Sequence, residues 1–135
     1  MDIIRGRAAT QHLSVSSLDT FTGTVWVDPI LPITEQGHLV ASVTFAPGAR
    51  TFWHSHAEGQ ILIVTSGSGW VGNADGAVET IRAGDVVWTP PGERHWHGAT
   101  RGTVMTHTAI SLGRPHWLHE VPDSEYGSRT EPGPS

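Results

Sequence analysis

A chain of 135 residues makes one domain, long enough to bury about two-thirds of its unfolded surface around a single core. Its formal net charge of -5 comes without any basic cluster, which argues against nucleic acid or an anionic membrane as partner. There is no cysteine, and all eight basic residues are arginine, so disulfides, thiolate nucleophiles, Cys-ligated zinc and Schiff-base catalysis by a side chain are excluded.

The first residues carry Arg5 and Arg7 but no apolar h-region, and no run of about eighteen apolar residues occurs. A cytoplasmic protein is expected. Residues 1–20 alternate weakly and read as an edge strand or an arm laid over a neighbouring subunit. Thr22 to Val27 is a short β-rich segment stopped by Asp28-Pro29, and Pro29 to Gly37 reads as a loop. Leu39 to Phe45 is a strand with Ala41, Val43 and Phe45 on one face, ended by the turn Ala46-Pro47-Gly48-Ala49. Thr51–His56 and Gln60–Thr65 follow as strands. Ser66-Gly67-Ser68-Gly69 turns the chain, Trp70-Val71-Gly72 resumes it, and Asn73-Ala74-Asp75-Gly76 is a hairpin loop. Val78–Ile81 and Val86–Thr89 are further strands, and Pro90-Pro91-Gly92 stops the second before His95 to His97 re-enter the sheet. Thr103 to Leu112 puts Met105, His107, Ala109 and Ser111 on one face.

No segment repeats at helical spacing, whereas turn signals recur every eight to twelve residues, the pattern of an all-β sandwich or barrel. Residues 1–126 are expected to form one domain with an N-terminal arm. Residues 127–135, polar and rich in Pro and Gly, are expected to be mobile.

Histidine supplies the chemistry. Side chains two apart on a strand share a face about 6.6 Å apart, so His54 and His56 can aim their imidazoles at one atom. Gln60 opens the returning strand and His95 comes from a later one, giving four candidate metal ligands: His54, His56, Gln60 and His95. Glu58 shares the parity of His56 but falls in the loop, so Gln60 is preferred. His97 shares a face with His95, should lie beside the metal and is, with His107, a candidate catalytic residue. His107 lies inward among apolar neighbours, which can keep it neutral near pH 7, as a general base requires. Ala41, Val43, Phe45, Phe52, Leu62 and Ser111 are the candidate cavity walls by parity, around a small neutral or aromatic molecule. Arg50 and Arg94 could grip a carboxylate, although both read as solvated turn residues. The six tryptophans, Trp117 included, read as packing, and His12, His38, His116 and His119 as solvent-facing or at a subunit contact.

The spacing resembles a known family. Gly48, five residues, His54-x-His56, three residues, Gln60, six residues, Gly67 is similar to the first cupin motif, with Gln in place of the usual Glu. Gly84, five residues, Pro90-x-Gly92, two residues, His95 is similar to the second, with Ala99 where Asn is usual. The resemblance covers about residues 38–112 and implies a cupin jelly-roll β-barrel, also called a double-stranded β-helix, holding one divalent metal. Phe21-Thr22-Gly23-Thr24-Val25, Pro47 to Thr51, Gly84 to Trp88, His95-Trp96-His97-Gly98 and Met105-Thr106-His107 look like the bacterial cupins that include manganese-dependent hydroxynitrile lyases. That subgroup implies manganese on the four candidate ligands and His107 as general base. Small cupins also imply a homodimer or homotetramer.

Three neutral imidazoles and a neutral amide would leave the ion's double charge uncancelled, making it a stronger Lewis acid than the usual Glu would allow. A mixed N/O set also suits Fe²⁺, Co²⁺, Ni²⁺ and Zn²⁺. The leading expectation is a lyase that reversibly splits a cyanohydrin into an aldehyde or ketone and hydrogen cyanide. An iron-dependent dioxygenase acting on a small aromatic or alkene substrate and a non-catalytic ligand-binding cupin are the alternatives.

Overall fold

The computed structural model describes residues 1–5 and 19–127; most of the expected N-terminal arm and nearly all of the 127–135 tail lie outside the described residues. No helix among those described is long and apolar enough to cross a membrane. Among the described residues eleven strands follow one another: β1 (Phe21–Thr22), β2 (Val25–Leu31), β3 (Leu39–Phe45), β4 (Arg50–Thr51), β5 (His54–His56), β6 (Gln60–Asn73), β7 (Val78–Arg82), β8 (Val86–Thr89), β9 (His95–Ala99), β10 (Met105–Ser111) and β11 (Pro115–Trp117).

All pairings are antiparallel. One side of the barrel runs β2-β3-β10-β6-β8. The other carries β7-β6-β9, with β4 and β5 on the far edge of β9, β1 on β4 and β11 on β5. Strand β6 belongs to both sides, and this shared strand joins them into the jelly-roll barrel.

The core follows from alternation. In β10 the side chains of Met105, His107, Ala109 and Ser111 are buried while those between them are half-exposed, and β3 buries Ala41, Val43 and Phe45 in the same rhythm. These pack with Val25, Leu62, Val64 and Ile81. Each fully buried Leu, Phe or Met contributes about 1.5–3 kcal/mol of apolar burial. The opposite parity leaves an apolar outer patch, where Ile61 pairs with Trp88 and Ile63 with Val86; Val86 is 63% and Trp88 53% exposed.

Three boundaries depart from the sequence reading. Asp28-Pro29 does not stop β2, because β2 is the outermost strand of its side, where a proline's missing N–H costs no ladder bond, and the register slips just after it. Ser66 to Gly69 is not a turn but the middle of the 14-residue β6. There the register against β10 shifts between Thr106 and His107, and Gly67 takes a φ of 76°. Any Cβ at Gly67 would lie 1.7 Å from the Val104 carbonyl oxygen, so only glycine lets the strand pass from one side to the other. Thr51–His56 is two strands, interrupted where Phe52 N–H donates to Thr20 and Trp53 N–H to His119. Strand β11, three residues long, is too short to show alternation in the sequence.

Candidate metal centre

Strand register assembles the site. His54 pairs with His95 across β5 and β9, Trp117 with His54 across β11 and β5, and Ser111 with Gln60 across β10 and β6. Between β5 and β6 the turn closes on Gly59, whose N–H donates to the His56 carbonyl and whose φ is 99°. A Cβ there would meet the Trp88 ring at 2.5 Å. That tight return leaves Glu58 exposed in the turn and sends Gln60 inward, where it is only 3% exposed.

The hydrogen bonds fix the tautomers. His54 Nδ1 lies 2.9 Å from the Phe52 carbonyl and His95 Nδ1 3.0 Å from that of Glu93. A carbonyl only accepts, so in each neutral ring Nδ1 carries the hydrogen and Nε2 presents a bare lone pair. His95 Nε2 is 3.0 Å from Gln60 Oε1, while the Gln60 amide nitrogen donates to Ser111 Oγ at 2.9 Å. Two acceptors therefore face one another with no hydrogen between them. They repel unless a cation lies beside both, and donors bound about 2.1 Å from one ion at right angles would stand about 3.0 Å apart. His56 adds a second sign: both its nitrogens are buried and lack a partner, which costs about 1–3 kcal/mol for each polar atom left so. The donor set fits a metal ion.

A second pair sits behind the first. His107 Nε2 and His97 Nδ1 are 3.0 Å apart, and the outer nitrogens, His107 Nδ1 and His97 Nε2, are buried without partners. Two neutral rings hold two hydrogens, one of them in the bridge, so one outer nitrogen is protonated and the other bare. Phe45 packs against both rings, with centroids at 5.9 and 5.2 Å. Burial pushes the imidazolium of His107 down to about 4. Burial, then the neighbouring His95, does the same to His56, also to about 4. His54, His95 and His97 are lowered too, in each case chiefly by burial.

The ligand atoms of His54, His95 and His97 lie within 4.8 Å of one another, so three buried histidines could hold a metal ion. His56 stands just outside that trio, its ring centroid 5.0 Å from that of His54 and 5.8 Å from that of His95. The trio differs from the set expected from spacing, which took His56 and Gln60 and left His97 beside the metal.

His54, His56, Gln60, His97 and His107 line a cavity of ≈ 190 Å³. Of the walls expected from parity, Ala41, Val43 and Ser111 line it. Phe45 and Leu62 do not: they point inward as expected but lie deeper, 0% exposed in the apolar core. Phe52 does not either, because it falls in the break between β4 and β5 where strand parity lapses. The sequence reading missed Phe21, Val27, Ile33, Leu39 and Trp117. Trp117 stacks on His54 at 4.5 Å and 30°; its repeated His-aromatic setting was the available signal. Arg50 is buried rather than solvated, bound to the Val121 carbonyl and Asp123 away from the cavity. Arg94 is exposed and lines a different hollow beside Trp53.

Residues 41–110 match the family model described as a cupin domain. The chain is 49% identical over 125 residues to an (R)-mandelonitrile lyase of Granulicella tundricola, covering 89% of this chain and 95% of the relative. Among solved structures it is similar to a cupin-like protein of Thermotoga maritima, at 39% identity and a TM-score of 0.80, covering 98% of this chain and all of the other. A predicted oxalate decarboxylase of the same organism, at 23% identity and a TM-score of 0.69, covering 83% of this chain and 99% of the other, shares the fold.

Proposed function

Because this chain belongs to the cupin family, we propose that it is a metal-dependent lyase that reversibly cleaves a cyanohydrin to an aldehyde or ketone and hydrogen cyanide. The observation that carries the reading is the 49% identity, along nearly the whole of both chains, with a protein named (R)-mandelonitrile lyase. The facing acceptors of His95 and Gln60 and the unpartnered nitrogens of His56 support a metal in the site.

His54, His56, Gln60 and His95 are the proposed ligands. His97 groups more tightly with His54 and His95 than His56 does, but the cupin-like spacing takes His56, and both nitrogens of His56 await a partner whereas His97 already has one in His107. His97 is therefore assigned to the proton-handling pair. Manganese is the proposed ion, and Fe²⁺, Co²⁺, Ni²⁺ and Zn²⁺ suit the same donors. Held by four uncharged groups, it supplies a Lewis acid whose double charge favours a developing alkoxide or cyanide.

His107 takes the hydroxyl proton of the cyanohydrin. The C–O bond becomes C=O, the C–CN bond breaks with its electron pair on cyanide, and the imidazolium returns the proton to give hydrogen cyanide. Burial keeps His107 neutral, and in the tautomer in which His107 Nε2 donates to His97 the His107 Nδ1 is bare and ready to accept. Val27, Leu39 and Ala109 offer an apolar wall for the substrate's side chain and keep water from the departing groups.

The metal-loaded protein mixed with mandelonitrile should release benzaldehyde without consuming oxygen. His107→Ala should keep its metal and lose about a hundredfold or more in kcat. No benzaldehyde above that variant, or oxygen uptake matching turnover, would overturn the lyase reading. We also propose that the patch formed by Ile61, Ile63, Val86 and Trp88 joins copies of the chain into a homodimer or homotetramer. Val86→Asp should halve the mass in solution, and an unchanged mass counts against it.

A further inference from the structure

Gln60 is the unusual member of the proposed ligand set because its amide has two ends of nearly the same shape and opposite chemistry. As observed, Oε1 faces His95 Nε2 at 3.0 Å and the amide nitrogen donates to Ser111 Oγ at 2.9 Å. Rotated by half a turn, the amide would give an N–H to the bare His95 Nε2 and its oxygen could accept from the Ser111 hydroxyl, satisfying that lone pair internally and removing the oxygen from the centre. Without an ion, the rotated form has the better electrostatics, since the observed one sets two acceptors against each other.

The observed orientation therefore needs an acceptor for the amide nitrogen at its outer end. Ser111 is the residue that provides it. Its position is set by the backbone, because β10 pairs it directly with Gln60. It is 7% exposed, and among the described residues the Gln60 side chain makes hydrogen bonds to Ser111 and His95 alone. Without the Ser111 hydroxyl, the observed orientation would bury an amide N–H with no acceptor. The rotated one would leave only a carbonyl short of a donor, which buried structure tolerates better.

We propose that Ser111 is a positioning residue that sets how tightly this barrel binds its ion. Its hydroxyl could also donate to a rotated amide, but it supplies the acceptor that lets the Gln60 oxygen stay turned toward the metal centre, and its loss penalises that orientation more than the rotated one. The proposal rests on the reading of Gln60 and His95 as ligands. It makes an unusual prediction about a pair: the hydroxyl matters only while residue 60 has a wrong end to present. A carboxylate at that position offers oxygen in either orientation and has no N–H to strand.

The test measures Mn²⁺ and Co²⁺ affinity by chelator competition, without substrate, in wild type, Ser111→Ala, Ser111→Thr, Gln60→Glu and the Gln60→Glu/Ser111→Ala double variant. Ser111→Ala should weaken both ions roughly tenfold and shift the visible absorption of the Co²⁺-loaded protein. Ser111→Thr should restore affinity and spectrum. In the Gln60→Glu background the alanine penalty should largely vanish, a non-additivity that a merely structural role would not produce. An equal penalty in both backgrounds, no penalty in either, or a wild type that takes up no metal would overturn it. Intact metal coupling in a protein that leaves mandelonitrile untouched would sink the lyase reading and leave this one standing.

Discussion

Strand β9 has both faces buried, and the two faces treat polar atoms in opposite ways. On the outer face the chain from Val121 to Gly127 folds back over Trp96 and Gly98, with the Tyr126 ring 5.0 Å from that of Trp96 and its hydroxyl donating to the Ala99 carbonyl at 2.5 Å. Arg50, 5% exposed, gives two hydrogen bonds to the Val121 carbonyl at 3.1 and 2.7 Å and one to Gly48, and lies 4.8 Å from the Tyr126 ring centre. On the inner face His97 lines the cavity and His95 lies beside it against Gln60 and His54. Of the buried side-chain nitrogens and oxygens without a partner among the described residues, four belong to His56, His97 and His107 and the other is Trp53 Nε1. A buried polar atom left alone costs stability, so the outer face reads as a group that closes the fold. The inner face carries a deficit that a bound ion or substrate would remove.

The strongest way to break this contrast is His56→Leu. It should empty the site and lower kcat for mandelonitrile on the order of a thousandfold, the several kcal/mol that a Lewis acid supplies. Yet the chelated protein should unfold no more easily than chelated wild type, because two orphaned nitrogens are gone. Metal content, benzaldehyde release and urea unfolding of the same preparation check all three, and a large loss of metal-free stability would show that His56 is a structural residue. Arg50→Met on the other face should do the reverse. It leaves metal content and turnover per folded molecule intact while removing about 3 kcal/mol of unfolding free energy, since the Val121 and Gly48 carbonyls lose a charged donor.

Acid separates the faces next. His107 is neutral in the folded protein down to about pH 4, against an ordinary value of 6.5. Above pH 6.5 neither state binds the proton and stability is flat. Between 6.5 and 4 the unfolded chain binds it and the folded one does not, so stability falls with falling pH, by about 3 kcal/mol in total for this ring. Below 4 both are protonated and its slope ends. His107→Leu should flatten part of the acid limb of metal-free unfolding. The outer face should stay silent in that window, because Arg50 holds the Asp123 carboxyl below its ordinary range and burial pushes the Tyr126 phenol up. An acid limb unchanged in His107→Leu would show that the ring is not buried neutral.

The inner face was the more legible in the sequence, and the reason is physical. Imidazoles that must converge need strand spacing of two and turns of fixed length, and both leave marks: His54-x-His56, the return to Gln60, and the Pro/Gly frame before His95. Parity likewise gave the buried faces of β3 and β10. Parity fixes direction but not depth, which is why Phe45 and Leu62 are core rather than cavity wall. Trp117 reaches His54 through the pairing of β11 with β5, a contact some sixty residues apart to which the repeated His-aromatic setting alone gave a hint. The outer face was nearly invisible for the same reason. Arg50 follows a turn and reads as solvated until Val121 to Gly127 is laid over it.

The smallest expected effect sharpens what Arg50 does. Its ion pair with Asp123, at 2.7 Å, is the one salt bridge a reader of the outer face would credit first. The partners are unequal, since the arginine side chain is 6% exposed and the aspartate 89%. A carboxylate so open to water is well solvated without the arginine and is screened by salt. The buried end of the guanidinium is already satisfied by the Val121 carbonyl, which water cannot replace without opening the fold. Asp123→Asn should therefore leave the unfolding midpoint unresolved from wild type at moderate ionic strength, while Arg50→Met lowers it clearly. If the two variants fall equally, the exposed charge rather than the buried carbonyl holds the C-terminal segment down, and the assignment of the outer face to buried hydrogen bonding is wrong.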